Sequence, residues 1–179
     1  MPTLKPDQSY DLSMVPIDAL DGRLLAELAA SPRLGVLELA RRLGVARGTV
    51  QARLDKLQSR GVVTGFGPDV DVAALGYEVE AFTTLDIAQG RLGDVVEHLR
   101  EIPEVLEAHS ISGPGDLHCR VVARTNAHLQ EVINRILEVQ GIMRTSTVIA
   151  LSSQVPHRVL PLVAATALHN GKATATLER

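Results

Sequence analysis

Two clusters in this chain have residue types that could do chemistry. The first is ISGPGDLHCRV, residues 111–121, which sets an aspartate, a histidine and the only cysteine beside a glycine-proline-glycine run. Four readings compete for it: a phosphate cradle, a nucleophile and base, a metal site, and a plain hairpin. A phosphate loop needs a lysine after the glycines and a helix to follow, and here the next residues, LHCRVVA, read as a strand. His118 and Cys119 are neighbours on that strand, so their side chains point to opposite faces and cannot act as a dyad. If residues 113–116 are the turn, Ile111 faces His118 and Ser110 faces Cys119, which leaves His109 and His118 on one face. Two histidines fall short of the three or four protein ligands that zinc takes. The expectation is no catalytic residue, no metal and no cofactor. The hairpin accounts for Gly113, Pro114 and Gly115, and leaves Asp116 as a charge without an assigned task.

The second cluster is basic. Between residues 41 and 60 stand Arg41, Arg42, Arg47, Arg53, Lys56 and Arg60 against a single acid, Asp55, in a chain whose formal net charge is -3. Clustered cations supply sequence-independent affinity for the phosphates of duplex DNA. In ARGTVQARLDKLQSRG the apolar Val50, Leu54 and Leu57 recur at helical spacing and mark the buried stripe. Arg47, Gly48, Thr49, Gln51, Ala52, Arg53 and Lys56 then lie on or beside the outer surface. Arg47 suits guanine, Gln51 suits adenine, and the Thr49 methyl suits thymine. Arg53, Lys56 and Arg60 suit phosphates. The bland alternative is a solvated charged face on a three-helix bundle.

The elements that must position these residues follow from periodicity. Ile17, Leu20, Leu24 and Leu28 mark a first helix stopped at Ser31-Pro32. VLELARRLG is a second, closed by Gly44, and the basic segment is the third; a short glycine-containing turn between the last two makes a helix-turn-helix. Residues 1–16 read as a flexible arm, residues 17–62 as the helical domain, and residues 63–76 as a short strand and linker. From Tyr77 onward YEVEAFTTLDI, RLGDVVEHLREI and PEVLEAHSIS read as strand, helix, strand, and the cycle repeats through LHCRVVA, NAHLQEVINRILEV and GIMRTSTVIAL. Two such units joined directly describe a ferredoxin-like βαββαβ domain over residues 77–160, with helices on one face of an antiparallel sheet. Val121, Val122, Ala123, Val148, Ile149, Ala150 and Leu151 are apolar on both parities, so both faces want burial, and a homodimer through this domain is expected. Residues 161–179 read as a frayed tail.

Composition narrows the classes. Hydrophobic residues make up 45% of the chain, enough for packed cores. One cysteine cannot form an internal bridge, which suits a reducing cytoplasm. No apolar run approaches a membrane span, and the first residues lack a leader pattern. Aromatic residues are only 2%, which speaks against stacking platforms for single strands but not against duplex binding.

IDALDGRLLAEL, LELARRLGVARGTVQARLDKLQSRGVV and ISGPGDLHCRV together resemble the Lrp/AsnC, or feast/famine, transcription regulators, over nearly all of residues 17–160. The resemblance implies an α+β protein: an N-terminal helix-turn-helix, winged-helix-like, DNA-binding domain followed by a ferredoxin-like effector and oligomerisation domain. It implies binding to double-stranded DNA as a dimer, tetramer or octamer, with Arg41 and Arg42 joining the third-helix residues at the DNA. It also implies a small effector, an amino acid, between C-terminal domains, held by Gly113, Pro114, Gly115, Asp116 and the late Thr147. In that reading Asp116 takes the ammonium and the turn amides take the carboxylate. Leu117 stands where many members have an aromatic residue, and Ala46 where many have a serine cap. The rival class is an amino-acid-sensing module that no longer reads DNA.

Overall fold

In the computed structural model, residues 17–177 are described, with side chains as far as His169. The expected arm over residues 1–16 lies outside them. The chain forms two compact units, one of residues up to Pro68 together with those from His157 onward, the other Asp69–Pro156.

The first unit is helical. Helix α1 (Ala19–Ala30) begins with a capping box: Asp18 accepts from the Asp21 N–H, and the Asp21 carboxylate accepts from the Asp18 N–H. Helix α2 (Val36–Leu43) ends at Gly44, whose positive φ of 71° lets the Val45 N–H turn back to the Ala40 carbonyl. Helix α3 (Arg47–Ser59) starts at Ala46, which makes no side-chain cap bond. Leu24, Leu39, Leu43, Val50, Leu54 and Leu57 form one buried cluster.

Two expectations fail in this unit. No strand forms over residues 63–76, where the composition suggested a short one. The Val62 and Val63 N–H groups both return to the Leu57 carbonyl as the closure of α3, and Gly65, Gly67 and Pro68 follow with no neighbouring strand to pair. The expected frayed tail is instead helix α6 (Leu160–Leu177), which packs on α1. Ala167 is buried there, and a Cβ on Gly22 would stand 3.1 Å from the Ala167 Cβ, so small residues allow the close approach.

The second unit is a four-stranded antiparallel sheet in the order β2-β3-β1-β4, with β1 (Val79–Ile87), β2 (Val105–Ser110), β3 (Leu117–Ala123) and β4 (Ile142–Ala150). Helices α4 (Leu92–Arg100) and α5 (Asn126–Ile136) lie between β1 and β2 and between β3 and β4. Val95, Leu99, Leu129, Val132 and Ile136 from these helices share a core with Ala81, Leu85, Leu117, Cys119 and Val121 from the sheet. Buried Glu104 ties the start of β2 to α5, 2.8 Å from Arg135 and 3.4 Å from His128. Burial pushes the Glu104 carboxyl up, but its bond to Arg135 and the nearby positive charges leave it below its ordinary value.

The hairpin register differs by two residues from the expected one: His109 faces His118 and Ser110 faces Leu117. The two histidines still share a face. The apolar surplus is also smaller than the pattern suggested, because Val121, Val122 and Ala123 are buried within the single chain. What stays exposed is on and beside β4, with Met143, Val148, Ile149 and Leu151 open to solvent.

Cys119 is fully buried, and burial pushes its thiol up to about 11. A thiol reagent at about pH 8 should therefore label the folded protein roughly a hundredfold more slowly than the denatured chain. Equal rates, followed by absorbance, would contradict the packing of β3.

Candidate nucleic-acid interface and effector site

Helix α3 buries Val50, Leu54 and Leu57 and leaves Arg47, Gly48, Thr49, Gln51, Ala52, Lys56 and Arg60 exposed. The expected reading residues therefore share a solvent-facing surface. Their cations are not equivalent. Arg53 is not a phosphate ligand held ready: its guanidinium lies 2.6 Å from both Asp18 and Asp21, joining α3 to the start of α1. Asp21 is 3% exposed, so withdrawing Arg53 would strand a buried carboxylate. The expectation placed Arg53 at a phosphate; the fold engages it between α3 and the start of α1.

Arg41 and Arg42 are paired as well, but at the surface. Both reach Glu38, at 2.9 and 3.2 Å, and Arg42 also reaches Glu27 at 3.2 Å. Bonds from the two arginines hold the Glu38 carboxyl down to about 2. Exposed pairs of this kind contribute little net stability and are screened by salt, so a phosphate can replace Glu38 at low cost. Among the described residues Arg47, Lys56 and Arg60 make no ion pair. Gln51 donates to Asp55 at 2.8 Å and must release it to present both amide atoms to a base. Sequence reasoning missed Asp18, Asp21, Glu27 and Glu38 as partners of this basic set. All four lie outside the window in which charge was counted.

The second candidate site lies at the hairpin between β2 and β3. Gly113 and Gly115 have φ of 130° and 86°, and a Cβ on Gly115 would run into the Thr84 methyl. Asp116 anchors this turn to β1: its N–H donates to the Leu85 carbonyl at 2.8 Å, and its Oδ2 accepts from the Ile87 N–H at 2.6 Å. Ile87 lies where β1 slips register against β4, so the carboxylate satisfies a donor at a bulge. Pro114 and Gly115 line a depression of about 360 Å³ together with Thr84, Asp86, Arg144 and Ser146. Thr147 is not in it. Its hydroxyl lies 3.0 Å from that of Thr83, which is wholly buried on the helix-covered face. Among the described residues no group of three or more histidine, cysteine, aspartate or glutamate side chains could hold a metal.

A helix-turn-helix with an exposed third helix, joined to a helix-backed antiparallel sheet with its own depression, defines a two-part DNA-binding regulator. Comparison with known proteins gives the class its family. Residues 17–58 match the AsnC-type helix-turn-helix domain and residues 80–160 the Lrp/AsnC ligand binding domain. The regulatory protein AsnC of Escherichia coli is 31% identical over 147 residues, covering 81% of this chain and 97% of its own. The HTH-type transcriptional regulator FL11 of Pyrococcus horikoshii is 26% identical over 148 residues, covering 83% and 98%. The solved structure of E. coli AsnC superposes with a TM-score of 0.75 at 31% identity, covering 81% of this chain and 99% of that one. The feast or famine regulatory protein Rv3291c of M. tuberculosis, complexed with L-methionine, gives 0.70 at 30% identity, covering 79% and 97%. The chain belongs to the Lrp/AsnC family of transcriptional regulators. The domain matches end at residue 160, so α6 beyond Leu160 lies past them.

Replacing Arg53 by Gln should cost about 2 kcal/mol, less than the roughly 3–5 kcal/mol of a fully buried pair because Arg53 and Asp18 remain part-exposed. The clamp also has an acid limit. Burial raises the Asp18 carboxyl, but the Asp21 N–H and Arg53 outweigh it and hold it below its ordinary value of 3.8. Its contribution is therefore present above the unfolded value and fades as pH falls through the folded one, below about pH 4. Urea midpoints measured through that range should fall for the wild type and flatten for Arg53→Gln. A variant midpoint equal to that of the wild type at neutral pH would remove the clamp.

Proposed function

We propose that the protein reads specific duplex sequences through α3 and that an amino-acid effector, bound at the C-terminal unit, adjusts its DNA affinity or assembly. The observation that carries this reading is the solvent-facing set Arg47, Gly48, Thr49, Gln51 and Ala52, flanked by the unpaired cations Lys56 and Arg60. Arg47, Thr49 and Gln51 face base edges, while Lys56 and Arg60, with Arg41 and Arg42 released from Glu38, hold phosphates. The methionine bound by the M. tuberculosis relative supports an amino-acid effector, and the 113–116 turn forms one wall of its seat. The protein acts in the cytoplasm.

Two reading helices require two chains. Val148, exposed on the open face of the sheet, and Ile149 and Leu151, exposed at and just past the end of the edge strand β4, support association through β4, where a second copy would bury them isologously. On this reading Val148→Glu weakens the dimer, seen by light scattering as a fall in mass at low micromolar concentration. An unchanged mass would move the interface elsewhere.

Fluorescence anisotropy with the native upstream duplex tests the DNA reading. Lys56→Ala should weaken binding to all sequences and reduce the slope of log affinity against log salt by about one. Gln51→Ala should narrow the gap between operator and scrambled duplex, at about 1–3 kcal/mol for a bidentate base contact. Binding without sequence preference, unaffected by Arg47→Ala or Gln51→Ala, would favour a sensor that does not read DNA.

A further inference from the structure

Asp86 and Arg144 face each other directly across β1 and β4. Opposite charges in that position have Cβ atoms about 4.5–5.5 Å apart and ordinarily pair. Here they do not: among the described residues neither makes an ion pair or a side-chain hydrogen bond. Asp86 is turned to the hairpin, with Oδ1 3.2 Å from the point where a Gly115 Cβ would be. Arg144 is exposed, and the two charges line the depression of about 360 Å³ with Thr84 and Ser146, the next facing pair on the same side of the sheet. That volume is at the small end of the roughly 300–1,000 Å³ of small-molecule sites.

One carboxylate, one guanidinium and two hydroxyls around a small hollow complement a zwitterion. A guanidinium binds a carboxylate through two parallel N–H bonds, and a carboxylate accepts an ammonium. Asp116 is less suited to the ammonium, because it does not line the depression and one of its oxygens is directed to the Ile87 N–H at 2.6 Å. The rest of the lining, Pro114, Gly115, Thr84 and Ser146, carries no charge.

We propose that Asp86 and Arg144 are the charged anchors of the effector, Asp86 for the ammonium and Arg144 for the carboxylate, and that the effector is an α-amino acid with an uncharged side chain. Both anchors are used by the main-chain groups of the ligand, so an acidic or basic side chain finds no partner. The assignment rests on the effector reading given above, and it moves the ligand's charges from the turn to the paired strands.

The test is calorimetry on the full chain with the twenty amino acids, then with the 2-hydroxy acid and the amine that correspond to the tightest binder. Wild type should bind an uncharged amino acid and lose about tenfold or more in affinity when either charged group of the ligand is missing. Asp86→Asn should weaken the amino acid while leaving the hydroxy acid little changed, and Arg144→Gln should do the same for the amine. The analogue series on wild type decides the matter if a variant does not fold. If wild type binds an amino acid but both variants keep full affinity, or a charged side chain is preferred, the anchors are wrong and the effector reading stands. If wild type binds none of the twenty, both fall.

Discussion

Alternation along β1 is the constraint on which the C-terminal unit depends. β1 is central, pairing with β3 on one side and β4 on the other, so its parity is imposed on both. Ala81, Thr83 and Leu85 are wholly buried under the helices, which sends Glu80, Phe82, Thr84 and Asp86 to the open face. A slip of one residue would exchange the two sets. Two contacts at the hairpin resist that slip. Gly115 lies so close to Thr84 that no side chain fits there, and Asp116 holds the Ile87 N–H where β1 changes register. The open face is then furnished by polar pairs: Arg120 bonds Glu80 and Glu107, and Phe82 stacks on His118 at 5.6 Å.

The helical unit is governed by a comparable choice between charges held for folding and charges left for a partner. A count along the sequence sees six cations and one acid near α3. The fold sorts them by the cost of separation. Arg53 is bound to a buried carboxylate and belongs to the architecture. Arg41 and Arg42 are bound only to exposed carboxylates, which water and salt already weaken. Arg47, Lys56 and Arg60 have nothing to give up. The basic segment is thus sorted into grades by how firmly each cation is held.

Much of this was legible because periodicity is local. LHCRVVA, VLELARRL and the third-helix stripe of Val50, Leu54 and Leu57 each announce their element within a dozen residues. The failures share a cause in partners distant along the chain. VVTGF has the composition of a strand and no strand to pair with. ALHNGKATATLER looks polar and loose, yet the helix it continues finds Gly22 about 145 positions away. Arg53 meets Asp18 and Asp21 across 35 and 32 positions. Asp86 and Arg144 were hidden differently, since each lies in an alternating strand where a charge reads as ordinary solvent-facing polarity. Only the register shows that they face each other and do not pair.

The hairpin that first suggested chemistry therefore does two physical jobs with different atoms. Its glycines and one oxygen of Asp116 hold β1, β3 and the turn in one register. That same rigidity is useful to the depression beside them. A wall made of backbone and of a carboxylate already bonded to a backbone N–H does not have to be ordered when a ligand arrives, so less of the binding energy is lost to ordering. The strands supply what the turn cannot, two opposite charges on facing residues, held by a sheet that the turn keeps in register. The residues most easily recognised in the sequence shape the site, and less conspicuous ones on β1 and β4 give it its chemistry.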